Sequence, residues 1–212
     1  MRTKALLVAA TFAAGLATSM AQNVYSLNVV GYYNVTIPPN SFALIANQLN
    51  TTNNTIAALL PSVPPGTQFF KYVTGTGWQS YLFDEFELAW TPDGNATLNP
   101  GEGGFIKNNT SQPLTITFVG EVLQGSLTNP IPAGFAVRSS MVPQAGTLTA
   151  LAFPAVPGDQ VYKYTPGSGY TSYLFDEFEL AWTPSDPSVG VGEAFFSRKG
   201  QAVNWVRNFT VQ

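Results

Sequence analysis

The 212-residue sequence contains no cysteine and no histidine. The first absence excludes disulfides and thiolate chemistry; the second removes imidazole metal ligands and, with the first, the Ser-His-Asp and Cys-His nucleophile systems. Charge is also scarce, at 10% of residues against roughly 25% in an average soluble domain. Lys and Arg number 9, Asp and Glu 12, and the basic residues form no cluster. The several positive contacts that hold a nucleic-acid backbone therefore have no source. No apolar run beyond the N-terminus approaches the about 20 residues a transmembrane helix needs. What is present in quantity is apolar and aromatic material, 45% and 13% of the chain, enough to argue against disorder.

At the N-terminus, Arg2 and Lys4 precede an apolar run from Ala5 to Thr18, and Ser19-Met20-Ala21 places small residues at −3 and −1 before Gln22. This is the order of a cleavable export signal, and its apolar run is too short for an anchor. The expectation is a signal peptide over residues 1–21 and a product that is secreted, periplasmic or held at the cell surface. Asn-x-Ser/Thr triplets recur through the chain, as they do by chance wherever Asn and Thr abound.

The sequence is written twice. Ser80 to Pro92 reads SYLFDEFELAWTP, and Ser172 to Pro184 repeats it letter for letter at an offset of 92. Upstream, Pro65-Gly66, Gln68, Lys71-Tyr72, Gly75 and Gly77 recur as Pro157-Gly158, Gln160, Lys163-Tyr164, Gly167 and Gly169. Downstream, one deletion aligns Gly101-Glu102 and Phe105 with Gly192-Glu193 and Phe196; near the start, Phe42-Ala43 aligns with Phe135-Ala136. A tandem duplication accounts for this, with one repeat over 22–124 and the other over 125–212.

Each repeat has a β pattern. Tyr25, Leu27, Val29, Tyr33, Val35 and Ile37 alternate with smaller or polar residues, as in a half-buried strand. Short runs follow at 42–47, 68–73, 78–83, 86–90, 104–108 and 114–122, and again at 135–140, 160–164, 170–175, 178–182, 194–198 and 203–211, bounded by Gly, Pro, Asn or Asp. Helical turns are expected only at Thr55 to Leu60 and Leu148 to Phe153, and a tight connection at Gly125 to Pro132. The fold predicted is all-β, two tandem β-sandwich-like repeats with little helix. Because a unit of this size is only modestly self-sufficient, the two should pack together, about a pseudo-two-fold axis.

Val30-Gly31-Tyr32, Val119-Gly120-Glu121-Val122, Val142-Pro143-Gln144 and the Pro-Gly-Glu-Gly turn at Pro100 to Gly103 resemble a group of exported bacterial proteins with duplicated β units and no established activity. The resemblance implies the fold and export, and nothing about chemistry.

The invariant thirteen residues admit two readings. Joined by a two-residue turn at Asp84-Glu85, or as one bent strand, they would put Leu82, Phe86, Leu88 and Trp90 into the core and leave the acids as a solvated turn that blunts a sheet edge. Against this, the flanks have diverged while three acidic positions have not, and solvated charges should drift first. The second reading is a contact surface made of Trp78, Tyr81, Asp84, Glu85 and Glu87 with their counterparts Tyr170, Tyr173, Asp176, Glu177 and Glu179. The function expected is a non-catalytic structural or adhesive surface module that binds itself or a cell-surface protein, with two copies permitting bivalency. The alternative is a carbohydrate-binding module in which the rings of Trp78, Tyr81, Tyr170 and Tyr173 stack on sugars. Paired carboxylates can hydrolyse glycosides, and Asp84, Glu87 and Glu102 are the candidates, but no nucleophile motif accompanies them and no enzyme is expected. Asp93, Asn95, Asn99 and Glu102 imitate a calcium loop, with Leu98 where its glycine belongs and Gly104 in the twelfth place; no metal or cofactor is expected. Prolines within strand regions argue against a membrane barrel.

Overall fold

The computed structural model describes residues 29–211. The proposed export signal, Tyr25 and Leu27 lie outside the described residues.

The first half runs β1 (Val29–Ile37), β2 (Ser41–Ala46), α1 (Ile56–Leu59), β3 (Gln68–Val73), β4 (Gly77–Phe83), β5 (Trp90–Thr91), β6 (Gly103–Asn108) and β7 (Leu114–Val122). The second runs β8 (Gly125–Ile131), β9 (Gly134–Arg138), β10 (Gly146–Thr147), β11 (Gln160–Thr165), β12 (Gly169–Phe175), β13 (Trp182–Thr183), β14 (Ser188–Val189), β15 (Phe195–Lys199) and β16 (Val203–Phe209). The expected all-β class, with little helix, is the observed one. In the first half an antiparallel sheet of order β2-β6-β3-β4-β5 stands with a β1-β7 ribbon; in the second the order β9-β15-β11-β12-β13 stands with a β8-β16 ribbon. The two orders correspond strand for strand.

Period-two alternation builds each core. From the first sheet Ala43, Ile45, Phe69, Tyr81, Phe83 and Ile106 turn inward, and Tyr33, Ile37, Ile116 and Phe118 meet them from the ribbon. Helix α1 adds Ile56 and Leu59, and its Thr55 N-cap accepts a bond from the Ala58 amide. The second core holds Val161, Trp182 and Phe195 against Ile131 and Trp205, whose indole donates to the Leu151 carbonyl at 2.9 Å.

Three local expectations differ. Gly125 to Pro132 is mostly strand: β8 buries Leu127, Asn129 and Ile131 while Ser126, Thr128 and Pro130 face out, and it pairs along its length with β16. Leu148 to Phe153 forms a turn with Ala152 at φ 55° instead of a helix. Residues 86–90 and 178–182 are loop up to their last residue.

The cores have drifted by compensated exchange. Gly104 lies under Phe69, and a Cβ there would overlap that ring; the counterparts in the second half are Phe195 and Val161, so bulk has moved from β3 to β6. Likewise Thr67 and Asn108 of the first half become Asp159 and Lys199, an ion pair whose side chains are each 2% exposed. Asn108 donates to the Gln112 carbonyl at 2.7 Å; Lys199 donates to the Asp159 carboxylate and to the Pro154 carbonyl.

The halves clasp each other reciprocally. The Ala46 amide donates to the Gly192 carbonyl and the Ser139 amide to the Gly101 carbonyl, both at 2.9 Å. Isolated bridges join Ile45 to Glu193 and Arg138 to Glu102. Gly101 and Gly192, with φ of 90° and 73°, admit no side chain: a Cβ would overlap Asn129 at the first and Val35 at the second. Gln48 completes the seam, donating to Ser139 Oγ at 3.0 Å and accepting from the Gly192 amide at 2.8 Å. Apart from Gln48 and the Ser139 hydroxyl that it meets, each element of the clasp has a counterpart in the other half, which defines a pseudo-two-fold relation.

The buried pair yields a prediction. Asp159→Ala leaves Lys199 buried and unpaired and should cost about 3–5 kcal/mol, whereas Asp159→Thr with Lys199→Asn, the first half's own residues, removes both charges and should cost far less. Urea unfolding of the single and double variants measures the difference; equal losses would contradict the account.

Candidate functional site

The invariant segment is a hairpin with a six-residue loop, Asp84 to Ala89, between β4 and β5. The Asp84 amide donates to the Ala89 carbonyl at 2.8 Å, and its carboxylate oxygen Oδ1 accepts from the amides of Phe86 at 2.7 Å and Glu87 at 2.9 Å. Asp176 repeats all three bonds at 2.8, 2.7 and 2.9 Å. This is the local turn chemistry for which aspartate is suited. The two backbone bonds, to Glu87 and then to Phe86, hold the Asp84 carboxyl below its ordinary value, and those to Glu179 and Phe178 do the same for Asp176. Each loop is anchored by a tryptophan: Trp90 is buried, meets Phe83 edge-on at 5.4 Å and donates to the Leu60 carbonyl at 3.1 Å. Trp182 meets Phe175 at 5.3 Å in the same way.

What the loop presents outward is a phenyl ring between two carboxylates. Phe86 is 86% exposed and Phe178 87%, with Glu85, Glu87, Glu177 and Glu179 exposed beside them. Leu88 and Leu180 are exposed too, and they adopt φ of 47° and 49°. For a residue with a Cβ that region costs about 1–2 kcal/mol. Both copies therefore keep an exposed leucine where glycine would be more comfortable.

The other expected site residues fall elsewhere. Tyr81 turns into the first core and Tyr173 lies half-buried against the second, so neither ring belongs to an outward face. Leu82, Phe86 and Leu88, offered by one reading as core, are exposed. Trp78 and Tyr170 begin β4 and β12, at the far end of the strand from the loops. The carboxylates are engaged singly: Glu102 pairs with Lys71 at 3.4 Å and Glu193 with Lys163 at 3.0 Å. Among the described residues no three acidic groups come together to hold a metal ion.

Trp78 and Tyr170 instead belong to a cluster the sequence reading did not assemble. Tyr72, Trp78 and Phe105 interleave with their counterparts Tyr164, Tyr170 and Phe196. Tyr72 meets Phe196 at 5.4 Å and Tyr164 meets Phe105 at 4.8 Å; Trp78 meets Phe196 at 5.4 Å and Tyr170 meets Phe105 at 6.3 Å. Most are edge-to-face contacts, the geometry the ring quadrupole favours. The pattern was available in principle: in β3, Phe70 and Tyr72 alternate with buried Phe69, and the offset of 92 carries them to Tyr162 and Tyr164.

Two clefts flank this cluster. One, of about 500 Å³, is lined by Tyr72, Trp78, Phe135, Tyr162, Tyr170 and Phe196. The other, of about 320 Å³, is lined by Tyr164, Tyr170, Phe42, Phe70, Trp78 and Phe105. Position for position these are the same six places under the pseudo-two-fold, and Trp78 and Tyr170 serve both. A cation sits at each rim: Lys107 lies over Phe42 at 5.5 Å and its counterpart Arg198 over Phe135 at 5.9 Å. Lys71, Lys163 and Lys199 are each paired with a carboxylate, whereas Lys107 and Arg198 have no such partner among the described residues.

Fold and site thus define a duplicated all-β chain with two identical acid-and-ring loops and two matching aromatic clefts. No family model matches the chain, and no match is found among curated proteins or solved structures.

The aspartate caps titrate in a defined direction. Their folded pKa lies below the ordinary 3.8, so the caps stabilise the loops above the unfolded value near 3.9 and are lost as pH falls through the folded value. The side-chain carboxyl carbon shifts of Asp84 and Asp176 should titrate with midpoints below 3.8; a midpoint at or above it would contradict the geometry.

Proposed function

We propose that this chain is an exported, non-catalytic structural or adhesive module that self-associates at the cell surface through its two identical loops. One observation carries the reading: Phe86 and Phe178 stand almost wholly in water, each beside a leucine held in a strained conformation, in the two stretches that the repeats share without a change. Burying an exposed aromatic ring gains roughly 4–6 kcal/mol at about 25 cal/mol per Å² over about 150–250 Å², so a ring left out twice is available for a contact. Acid on both sides keeps the free tips soluble. The apparent paradox of conserved charges also resolves, since Asp84 and Asp176 shape the loop and the glutamates flank the ring.

Freed of residues 1–21, the chain should assemble with rising concentration in sedimentation velocity, and Phe86→Ser with Phe178→Ser should remain monomeric with an unchanged melting temperature. A parent chain that stays monomeric at every concentration would overturn the reading. Leu88→Gly with Leu180→Gly should relieve about 1 kcal/mol of strain per site, raising stability while weakening assembly; a loss of stability would contradict the role given to the leucines.

A carbohydrate-binding reading draws on a separate observation, the placing of Trp78 and Tyr170 in the shared wall of both clefts. Sugar titrations against Trp78→Ala with Tyr170→Ala test it: affinity in the parent chain and none in the variant would favour it, and no glycan affinity in the parent chain would dismiss it.

A further inference from the structure

Resting on the self-association reading, we infer that the aromatic clefts are the receptors for the loops: the Glu85-Phe86-Glu87 tip of one copy seats in a cleft of a second copy, and the Glu177-Phe178-Glu179 tip does likewise.

Chemistry and number both fit. Each tip offers one phenyl ring and two carboxylates, and each cleft offers an aromatic floor with one cation at its rim that no described carboxylate pairs, Lys107 or Arg198, the latter donating to Gln160 Oε1 at 3.2 Å. Rings that meet a preformed aromatic wall gain edge-to-face contact beyond simple burial, and a rim cation opposite a flanking carboxylate steers the approach. The chain carries two tips and two clefts, all related by the same pseudo-two-fold. Of the other described cations, Lys71, Lys163 and Lys199 are already neutralised by Glu102, Glu193 and Asp159, while Arg138 donates to the Pro130 carbonyl and Arg207 to Ser140 and Gln144.

The occupant must be another copy. In this structure Phe86 and Phe178 are 86% and 87% exposed, so neither tip is seated in a cleft of its own chain. Tip-to-cleft contact is therefore heterologous, joining different patches of two copies, and such contacts either close into rings or run on as filaments. Two contacts per copy would raise the avidity of the lattice well above that of a single seat.

The experiment uses two variants of the full chain freed of residues 1–21, each checked for an unchanged melting temperature. The tip variant is Phe86→Ser with Phe178→Ser and keeps its clefts. The rim variant is Lys107→Glu with Arg198→Glu and keeps its tips; Lys107→Gln with Arg198→Gln serves in its place if the reversal unfolds. Each variant alone should assemble at least roughly tenfold more weakly than the parent, as expected for lost charge pairs at an interface. Mixed in equal amounts, they should complement: the rim variant's tips fill the tip variant's clefts, and sedimentation detects the mixed complex. A rim variant that assembles as the parent does, or a mixture that stays monomeric, overturns the inference while leaving self-association itself standing. A parent chain that never assembles removes the underlying reading instead.

Discussion

The seam between the two halves is the constraint on which the rest depends. Each half's Gly-Glu turn is held against the other half's ribbon, by the Ala46 and Ser139 amides on one side and by glycines that leave no room for a Cβ on the other. Above that seam the six rings of Tyr72, Trp78, Phe105, Tyr164, Tyr170 and Phe196 interlock. Without disulfides, and with few charges, such packing is what a chain of this composition has to hold two small β units together. The clefts exist only because of it: Trp78 and Tyr170, one from each half, wall both of them, so neither unit alone carries a cleft.

Duplication explains why the site has the form it has. A paired, reciprocal interface turns most residues at the seam, Gln48 apart, into two, and the clefts, rim cations and loops follow in twos. Away from the seam the repeats have been free to change, provided volume and charge were balanced. Phe69 with Gly104 became Val161 with Phe195, and Thr67 with Asn108 became an Asp159–Lys199 pair. The hairpin loops did not take part in that drift, although Phe86 and Leu88 support neither core.

The strand content was legible because alternation and Gly-Pro punctuation are local signals. Gln68 to Val73 and Leu114 to Val122 fall where their patterns put them. Gly125 to Pro132 did not, since Pro130 reads as a breaker until an edge position makes it harmless. The loop was the harder case. Phe86, Leu88 and Trp90 look like one apolar stripe, but Asp84 captures two backbone amides and forces a six-residue turn, which sends the first two outward and only Trp90 inward. The acids were identified as the notable feature, whereas the ring they flank is the more exposed group. The clefts lay out of reach for another reason: Phe105 meets Tyr164 and Tyr170, and Phe196 meets Tyr72 and Trp78, only where the two halves dock.

Cleavage of the covalent link between the halves tests the central claim most directly. With a protease site introduced at residues 123–124, the cut fragments are predicted to co-migrate in size-exclusion chromatography and to unfold in a single transition. Two fragments that separate while each retains its own folded transition would contradict the account, because the seam would then not be what holds the molecule together.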